Sequence, residues 1–175
     1  MVFVQAQAVP ATPDGGIVAE KVRDGIDVRI NGEHFRHTGD PKMPLLWYLR
    51  DVLRLTGTKY GSGSGVDLVL VDGKAMSAGK LAMDALAGRA VVTVEGLAAE
   101  DGSLHPMQQA FIDEDAIGCG YCTPGWLIAA VDLLSRKPRA NDDDIDQLPD
   151  LCRCGCQTRV RRAIKRVVAG KAGQP

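Results

Sequence analysis

A chain of 175 residues with 45% hydrophobic and 25% charged residues has ordinary globular composition, enough for one compact domain or two small ones. Its 21 basic and 22 acidic residues leave a net charge of -1, so no one-signed field exists to attract nucleic acid or an anionic membrane. Twenty glycines and nine prolines fall short of a collagenous or low-complexity chain, and no apolar run reaches the roughly 18 residues of a membrane span.

Residues 1–25, with Pro10 and Pro13, mix small and apolar residues and lack the basic start of a secretory signal; they read as an extended N-terminal arm. Ile26, Val28 and Ile30 alternate with charged residues ahead of Asn31-Gly32, a hairpin turn pair, and a second short strand is expected over 34–37. Pro44 opens a predicted helix whose Leu45, Leu46, Leu49, Val52 and Leu53 form one apolar face and which ends near Thr56-Gly57. Gly61-Ser62-Gly63-Ser64-Gly65 is too glycine-rich for regular structure. Leu68–Val71 followed by Asp72-Gly73 predicts a second hairpin, 80–86 a helical stretch and 90–94 a last strand. Residues 26–98 therefore form a small mixed α+β unit.

From 99 to 175 the pattern is helical. His105-Pro106 starts a helix carrying Met107, Ala110, Phe111 and Ile117, and Thr123-Pro124 is an N-cap and first-turn pair for a helix over 125–135. Asn141 caps a third, whose Asp142, Asp143 and Asp144 complement the positive end of the helix dipole. In the last, Val160, Ala163, Ile164, Val167 and Val168 sit at helical spacing opposite Arg161, Arg162, Lys165 and Arg166. Such a basic face is ordinarily a solvated or partner-facing surface and not a nucleic-acid site. The four helices make a compact bundle with cysteines at two of their starts.

All five cysteines lie between Cys119 and Cys156. An odd, crowded set suits a disulfide framework poorly. Cys119-Gly120-Tyr121-Cys122 is followed, after 29 residues, by Cys152-Arg153-Cys154-Gly155-Cys156. Two thiolates two residues apart grip one centre from a single turn of backbone, and a distant second pair completes four sulfurs once the chain folds back. The metal's charge keeps those thiols deprotonated, which is why cysteine and not serine is required. Spacing alone leaves both a 2Fe-2S cluster and a structural zinc open for Cys119, Cys122, Cys152 and Cys154.

The remaining candidates are weaker. His105 reads as a local hydrogen-bonding group, and His34 and His37 as solvated side chains on a hairpin. The glycine-serine run has no following lysine-serine pair and no βαβ context, so it is not a phosphate cradle. Asp67 and Asp72 lack partners for acid-base work and no nucleophile stands beside a base, so no catalytic residue is assigned to this chain.

His105-Pro106-Met107-Gln108-Gln109-Ala110-Phe111, then Cys119-Gly120-Tyr121-Cys122-Thr123-Pro124-Gly125, then Leu151-Cys152-Arg153-Cys154, resemble the small iron-sulfur subunit of the molybdenum hydroxylases, the xanthine dehydrogenase and aldehyde oxidoreductase group. Gly155-Cys156-Gln157-Thr158-Arg159-Val160 is most similar to the isoquinoline oxidoreductase type. Upstream, the likeness runs through Val28-Arg29-Ile30-Asn31-Gly32, Pro44-Leu45-Leu46-Trp47 with Leu49-Arg50-Asp51, and Leu55-Thr56-Gly57-Thr58-Lys59-Tyr60-Gly61, covering nearly all of 26–170.

The resemblance implies an α+β fold: a ferredoxin-like β-grasp over 26–98, then a four-helix 2Fe-2S domain over 99–175. It implies an electron-transfer subunit of a molybdopterin-dependent oxidoreductase, with Cys119, Cys122, Cys152 and Cys154 as cluster ligands. The catalytic centre would lie on a large partner subunit that binds molybdopterin in its cytosine dinucleotide form and oxidises an aldehyde or N-heterocycle. Electrons would leave to a cytochrome or a further redox subunit. Relatives carry a second, N-terminal 2Fe-2S cluster, whose four cysteines fall here on Ser62, Ser64, Asp67 and Ala78 in a shortened loop, so that cluster is expected to be absent. Gly118 stands where relatives often have glutamine near the pterin; Cys154 matches the cysteine that approaches the cofactor. Cys156 stands where relatives have threonine, either as a spare thiol or as a competitor of Cys154. The alternative is a non-redox structural adaptor around zinc or a degenerate metal site. Reduced thiols suit the cytoplasm, or the periplasm if the chain is exported with a partner.

Overall fold

The computed structural model describes residues 25–61, 64–148 and 152–172. The arm expected over 1–25 therefore lies, except for Gly25, outside the described residues. The first half is a five-stranded mixed sheet built from β1 (Ile26–Ile30), β2 (Glu33–His37), β3 (Leu68–Val71), β4 (Lys74–Ser77) and β5 (Ala90–Val92), in the order β2-β1-β5-β3-β4. Two tight hairpins supply β1-β2 and β3-β4, in register Ile30↔Glu33 and Val71↔Lys74. Their turns, Asn31-Gly32 and Asp72-Gly73, place both central residues at positive φ (50° and 87°, 49° and 81°), which matches the twist of the flanking strands. β5 closes the sheet between them, parallel to β1 and antiparallel to β3.

Alternation along the strands puts Val28, Ile30, Val69, Val71 and Val91 into one buried layer, covered by Leu45, Leu46, Leu49, Met83 and Leu86. The covering segment departs from the expected single helix. It is a short α1 (Leu45–Trp47) running into a wider π-type turn over Tyr48–Val52, which closes with Leu53 N–H donating to Tyr48 O at 3.1 Å. Val52, the last residue of the widened turn, is turned off the core face and 54% exposed, while Leu53 beyond it packs against the core. The helix expected over 80–86 shrinks to a 3-10 turn, Met83–Leu86, because Leu45 N–H donates to Leu81 O (2.7 Å) and Pro44 bridges to Ala82, holding that stretch extended. β5 stops at Val92 because Thr93 N–H donates to the Asn31 side chain at 2.8 Å. His37, expected in solvent, is buried, with Nε2 2.9 Å from Asp40 O and its ring edge-on to Tyr48.

The second half contains α2 (Pro106–Asp113), α3 (Thr123–Arg136), the five-residue α4 (Asp142–Asp146) and α5 (Gln157–Ala172). His105 caps α2: its Nδ1 accepts from Met107 N–H (3.1 Å) while Gln108 Oε1 accepts from His105 N–H (3.0 Å). The helix ends before Asp115, at φ 48°, so Ile117 lies beyond it, 42% exposed. Asn141 and Asp144 form the reciprocal cap expected for α4. Met107, Phe111, Trp126, Leu127, Ile145, Val160 and Ile164 make the second core. The basic face of α5 is spent within the molecule: Lys165 pairs with Asp142 (2.7 Å), Arg161 with Asp146, and Arg166 with Asp113 and Glu114 (both 3.2 Å). No helix among the described residues is long and apolar enough to cross a membrane.

α3 joins the halves. It packs on β3 and β4 on one side and on α2 and α5 on the other, which is why it is apolar nearly all round. Gly125 makes the joint: a Cβ there would lie 2.0 Å from Gly65 O and 2.8 Å from Val66 Cα, both backbone atoms. Gly125→Ala is expected to lower unfolding stability by at least the ~1–3 kcal/mol of ordinary overpacking, because backbone cannot rotate away as a side chain can; urea denaturation checks it.

Candidate metal centre

Both cysteine loops are helix starts. Cys119-Gly120-Tyr121-Cys122 turns through Gly120 at φ 81° and delivers Cys122 as the N-cap of α3, its carbonyl accepting from Trp126 N–H at 3.1 Å. The expected cap, Thr123, is instead the first helical residue. Cys152-Arg153-Cys154-Gly155-Cys156 turns through Gly155 at φ 73°, with Gly155 N–H on Cys152 O (3.1 Å), and Cys156 O accepts from both Arg159 and Val160 N–H (2.9 Å each) as α5 begins. Glycine is needed at both turns because a side chain is disfavoured at such φ. α3 and α5 then pack over one core, bringing the two loops together.

The four thiols predicted from spacing converge as two pairs. The Cys119 thiol faces that of Cys154 and the Cys122 thiol that of Cys152, which also meets Cys156. Backbone donors point at the sulfurs: Cys119 N–H at Cys154 Sγ (3.4 Å) and Cys156 N–H at Cys152 Sγ (3.2 Å). Cys119 and Cys154 are exposed, Cys122 is half-buried and Cys152 buried, so one pair forms the outer edge and the other the inner. Each pair splits its proton affinities. The Tyr121 N–H and the Cys154 thiol hold Cys119 below the ordinary thiol range, whereas burial and the bond to Cys152 push Cys122 up to about 12. For Cys152 burial opposes ionisation, but the Cys156 and Cys154 N–H groups outweigh it and the thiol is lowered. For Cys154 the Cys119 N–H favours the thiolate, yet the Cys119 side chain and burial raise it overall. One sulfur of each pair thus ionises readily and the other holds the shared proton until a metal displaces it.

This donor set suits two metal atoms better than one. A tetrahedral zinc with bonds of about 2.3 Å would draw all four sulfurs equally close. Two thiol pairs, each with a backbone donor, are what a cluster of two irons requires, since each iron takes two thiolates.

The fifth thiol, Cys156, is buried and lies against the inner pair: its side chain meets Cys152, and its Sγ accepts from Arg159 Nη2 at 3.2 Å. A Cβ on Gly118 would lie 2.7 Å from Cys154 Cβ and 3.0 Å from Cys156 Sγ, so Gly118 and Cys156 are packing partners. Sequence reasoning missed Arg159, although its place three residues after Cys156, one helical turn on, was a usable signal.

The glycine-rich loop of the first half holds hydrogen bonds where the resemblance would place ligands. Ser64 Oγ donates to Gly61 O (2.6 Å). Asp67 is buried, its Oδ2 accepting from Ser77 Oγ (2.5 Å) and Gly79 N–H (3.2 Å), and Ala78, also buried, donates its N–H to Asp67 O (2.9 Å). Ser62 lies outside the described residues. Asp72 is bound by Ala90 N–H and Arg89, a structural role.

Residues 93–165 match the family of 2Fe-2S binding domains. A nicotinate dehydrogenase subunit of Pseudomonas putida is 40% identical over 146 residues, covering 81% of this chain and 92% of that one. The chain belongs to the 2Fe-2S small subunits of the molybdenum hydroxylases. The alpha subunit of isoquinoline 1-oxidoreductase from Brevundimonas diminuta is 37% identical, over 81% of this chain and 95% of that one. Among solved structures, quinoline 2-oxidoreductase of Pseudomonas putida 86 matches with a TM-score of 0.76 at 32% identity, covering 85% of this chain and 94% of that one. The aldehyde oxidoreductase of Desulfovibrio desulfuricans matches with a TM-score of 0.77 at 32% identity, over 86% of this chain but 17% of that one. These relatives are oxidoreductases or their subunits, and the mixed α/β fold of this small subunit is that of the iron-sulfur portion of aldehyde oxidoreductase.

In the metal-free small subunit, the lowered Cys119 and raised Cys122 give an order of reactivity. At pH 8 iodoacetamide is expected to label Cys119 well before Cys122, as read by peptide mass spectrometry over time; equal rates would contradict the assigned split.

Proposed function

We propose that this chain is the electron-transfer subunit of a molybdopterin-dependent hydroxylase and that Cys119, Cys122, Cys152 and Cys154 hold its single 2Fe-2S cluster. The observation that carries the reading is the paired arrangement of the thiols at the starts of α3 and α5, one pair exposed and the other half-buried (Cys122) and buried (Cys152). Cys119 with Cys154 would ligate the outer iron and Cys122 with Cys152 the inner one. The cluster, when bound, supplies a one-electron carrier. The chain's own residues fix its position, keep its inner edge out of water and direct N–H groups at its sulfur ligands, all of which set its potential.

The exposed Cys119/Cys154 edge is where a large molybdopterin-binding subunit would approach, its cofactor in the cytosine dinucleotide form. The names of the relatives, which include nicotinate and isoquinoline enzymes, favour an N-heterocycle as the partner's substrate. We assign 26–98 to a β-grasp scaffold without a cluster and 99–175 to the four-helix cluster domain. Four ligand positions replaced by Ser62, Ser64, Asp67 and Ala78 leave no thiolate for a second cluster, and the buried bonding of Asp67 and Ala78 supports a loop repurposed as structure. Electrons then leave directly from the helical domain to a cytochrome or another redox subunit. We place the chain in the cytoplasm, or in the periplasm if it is exported with its partner.

Anaerobic purification should yield about two irons and two sulfides per chain and one reducible EPR signal. Two distinct signals would refute the cluster-free first half, and stoichiometric zinc would sink the electron-transfer reading. Cys119→Ser, Cys122→Ser, Cys152→Ser or Cys154→Ser is each expected to abolish or strongly weaken the signal, while Cys156→Ser retains it.

A further inference from the structure

The thiol that spacing left unexplained stands in a chain of polar contacts. Asp115, at φ 48° just beyond α2, pairs with Arg159 Nη1. Arg159, in the first turn of α5, donates through Nη2 to Cys156 Sγ at 3.2 Å. Cys156 is 1% exposed, and its backbone N–H donates to Cys152 Sγ at 3.2 Å. The guanidinium is therefore fixed on two sides and reaches the buried thiol pair through one residue. Resting on the ligand assignment above, we propose that Arg159 is a positioning residue that raises the reduction potential at the Cys122/Cys152 edge.

The physical basis is electrostatic. Reduction adds one electron, spread over iron and sulfur, and a nearby fixed cation lowers the energy of that extra negative charge. Arginine suits the task because it stays protonated at every relevant pH and its planar fork can bond Asp115 and sulfur together. Asp115 does not cancel the effect, since its side chain is 80% exposed and screened by water, whereas the guanidinium is 36% exposed and directed toward the buried sulfur. Through Cys156 Sγ the guanidinium also anchors the residue whose backbone N–H donates to Cys152 Sγ. Hydrogen bonds toward cluster sulfur are a recognised lever on potential.

The test is an EPR-monitored redox titration of the iron-loaded full chain. Arg159→Gln is expected to lower the midpoint, so that the reduced-to-oxidised ratio at the wild-type midpoint falls about tenfold, ~59 mV for a one-electron step. Arg159→Lys, which keeps the charge, should recover most of that shift. An unchanged midpoint in Arg159→Gln with its signal intact overturns the proposal, and so does an equal fall in both variants. If Arg159→Gln fails to retain iron, Cys156→Ala decides. It spares all four ligands and removes the guanidinium's sulfur partner, so a lowered midpoint supports the proposal and an unchanged one overturns it. A wild-type chain with no reducible signal defeats the ligand assignment and this proposal together.

Discussion

The constraint on which the proposed centre depends is that four sulfurs far apart in the chain must be held with backbone donors aimed at them. Helix starts meet it. Each offers unsatisfied N–H groups and a positive dipole end, and each fixes the direction of the residue preceding it. Cys122 is the N-cap of α3 and Cys156 precedes α5, so packing of those helices on Trp126, Leu127, Val160 and Ile164 sets the separation of the loops. The glycines at φ 81° and 73° then fold each loop back over its own helix start. A core substitution well away from sulfur could therefore reach the site by tilting one helix against the other.

That constraint propagates to the sheet through α3. Its N-terminal turn meets the Gly65–Val66 backbone closely enough that only glycine fits at 125, and Tyr121, between Cys119 and Cys122, donates its hydroxyl to Tyr60 O at 2.5 Å. Tyr60 in turn stacks on Trp47, ring centroids 5.6 Å apart. The segment adjoining the glycine-rich loop thus braces the cysteine loop of the helical half. A first half without thiols still has this mechanical task, which accounts for the persistence of its sheet, its two tight turns and the buried bonds of Asp67.

Much of this was legible in local chemistry. The strand alternation at Ile26, Val28 and Ile30, the turn pairs Asn31-Gly32 and Asp72-Gly73, the helix start at His105-Pro106 and the cap at Asn141 are short-range signals, and the structure reproduces them. Expectations failed where a distant partner captured the backbone. The segment over 81–82 is extended because it pairs with Pro44 and Leu45, and β5 ends early because Asn31 takes the N–H of Thr93. His37 has no apolar context in sequence, and only the folding of Tyr48 and Asp40 over it explains its burial. At the site, spacing named four thiols but not their pairing, because pairing depends on how α3 faces α5.

Two oddities of sequence, Gly118 before the first cysteine and Cys156 after the last ligand candidate, look independent along the chain but are one feature in space. The sulfur of Cys156 occupies the volume beside Gly118 that a side chain there would enter, at 3.0 Å from its Cβ position. A sulfur in that place fills an interior gap and accepts a hydrogen bond from Arg159, which a larger residue at 118 would obstruct by displacing Cys154 as well. The two positions should therefore vary together: a side chain at 118 requires the loop of Cys154 to move and the residue at 156 to withdraw. Small changes beside a metal centre act in this coupled way because interiors are close-packed and each ligand's orientation is inherited from the residues that touch it.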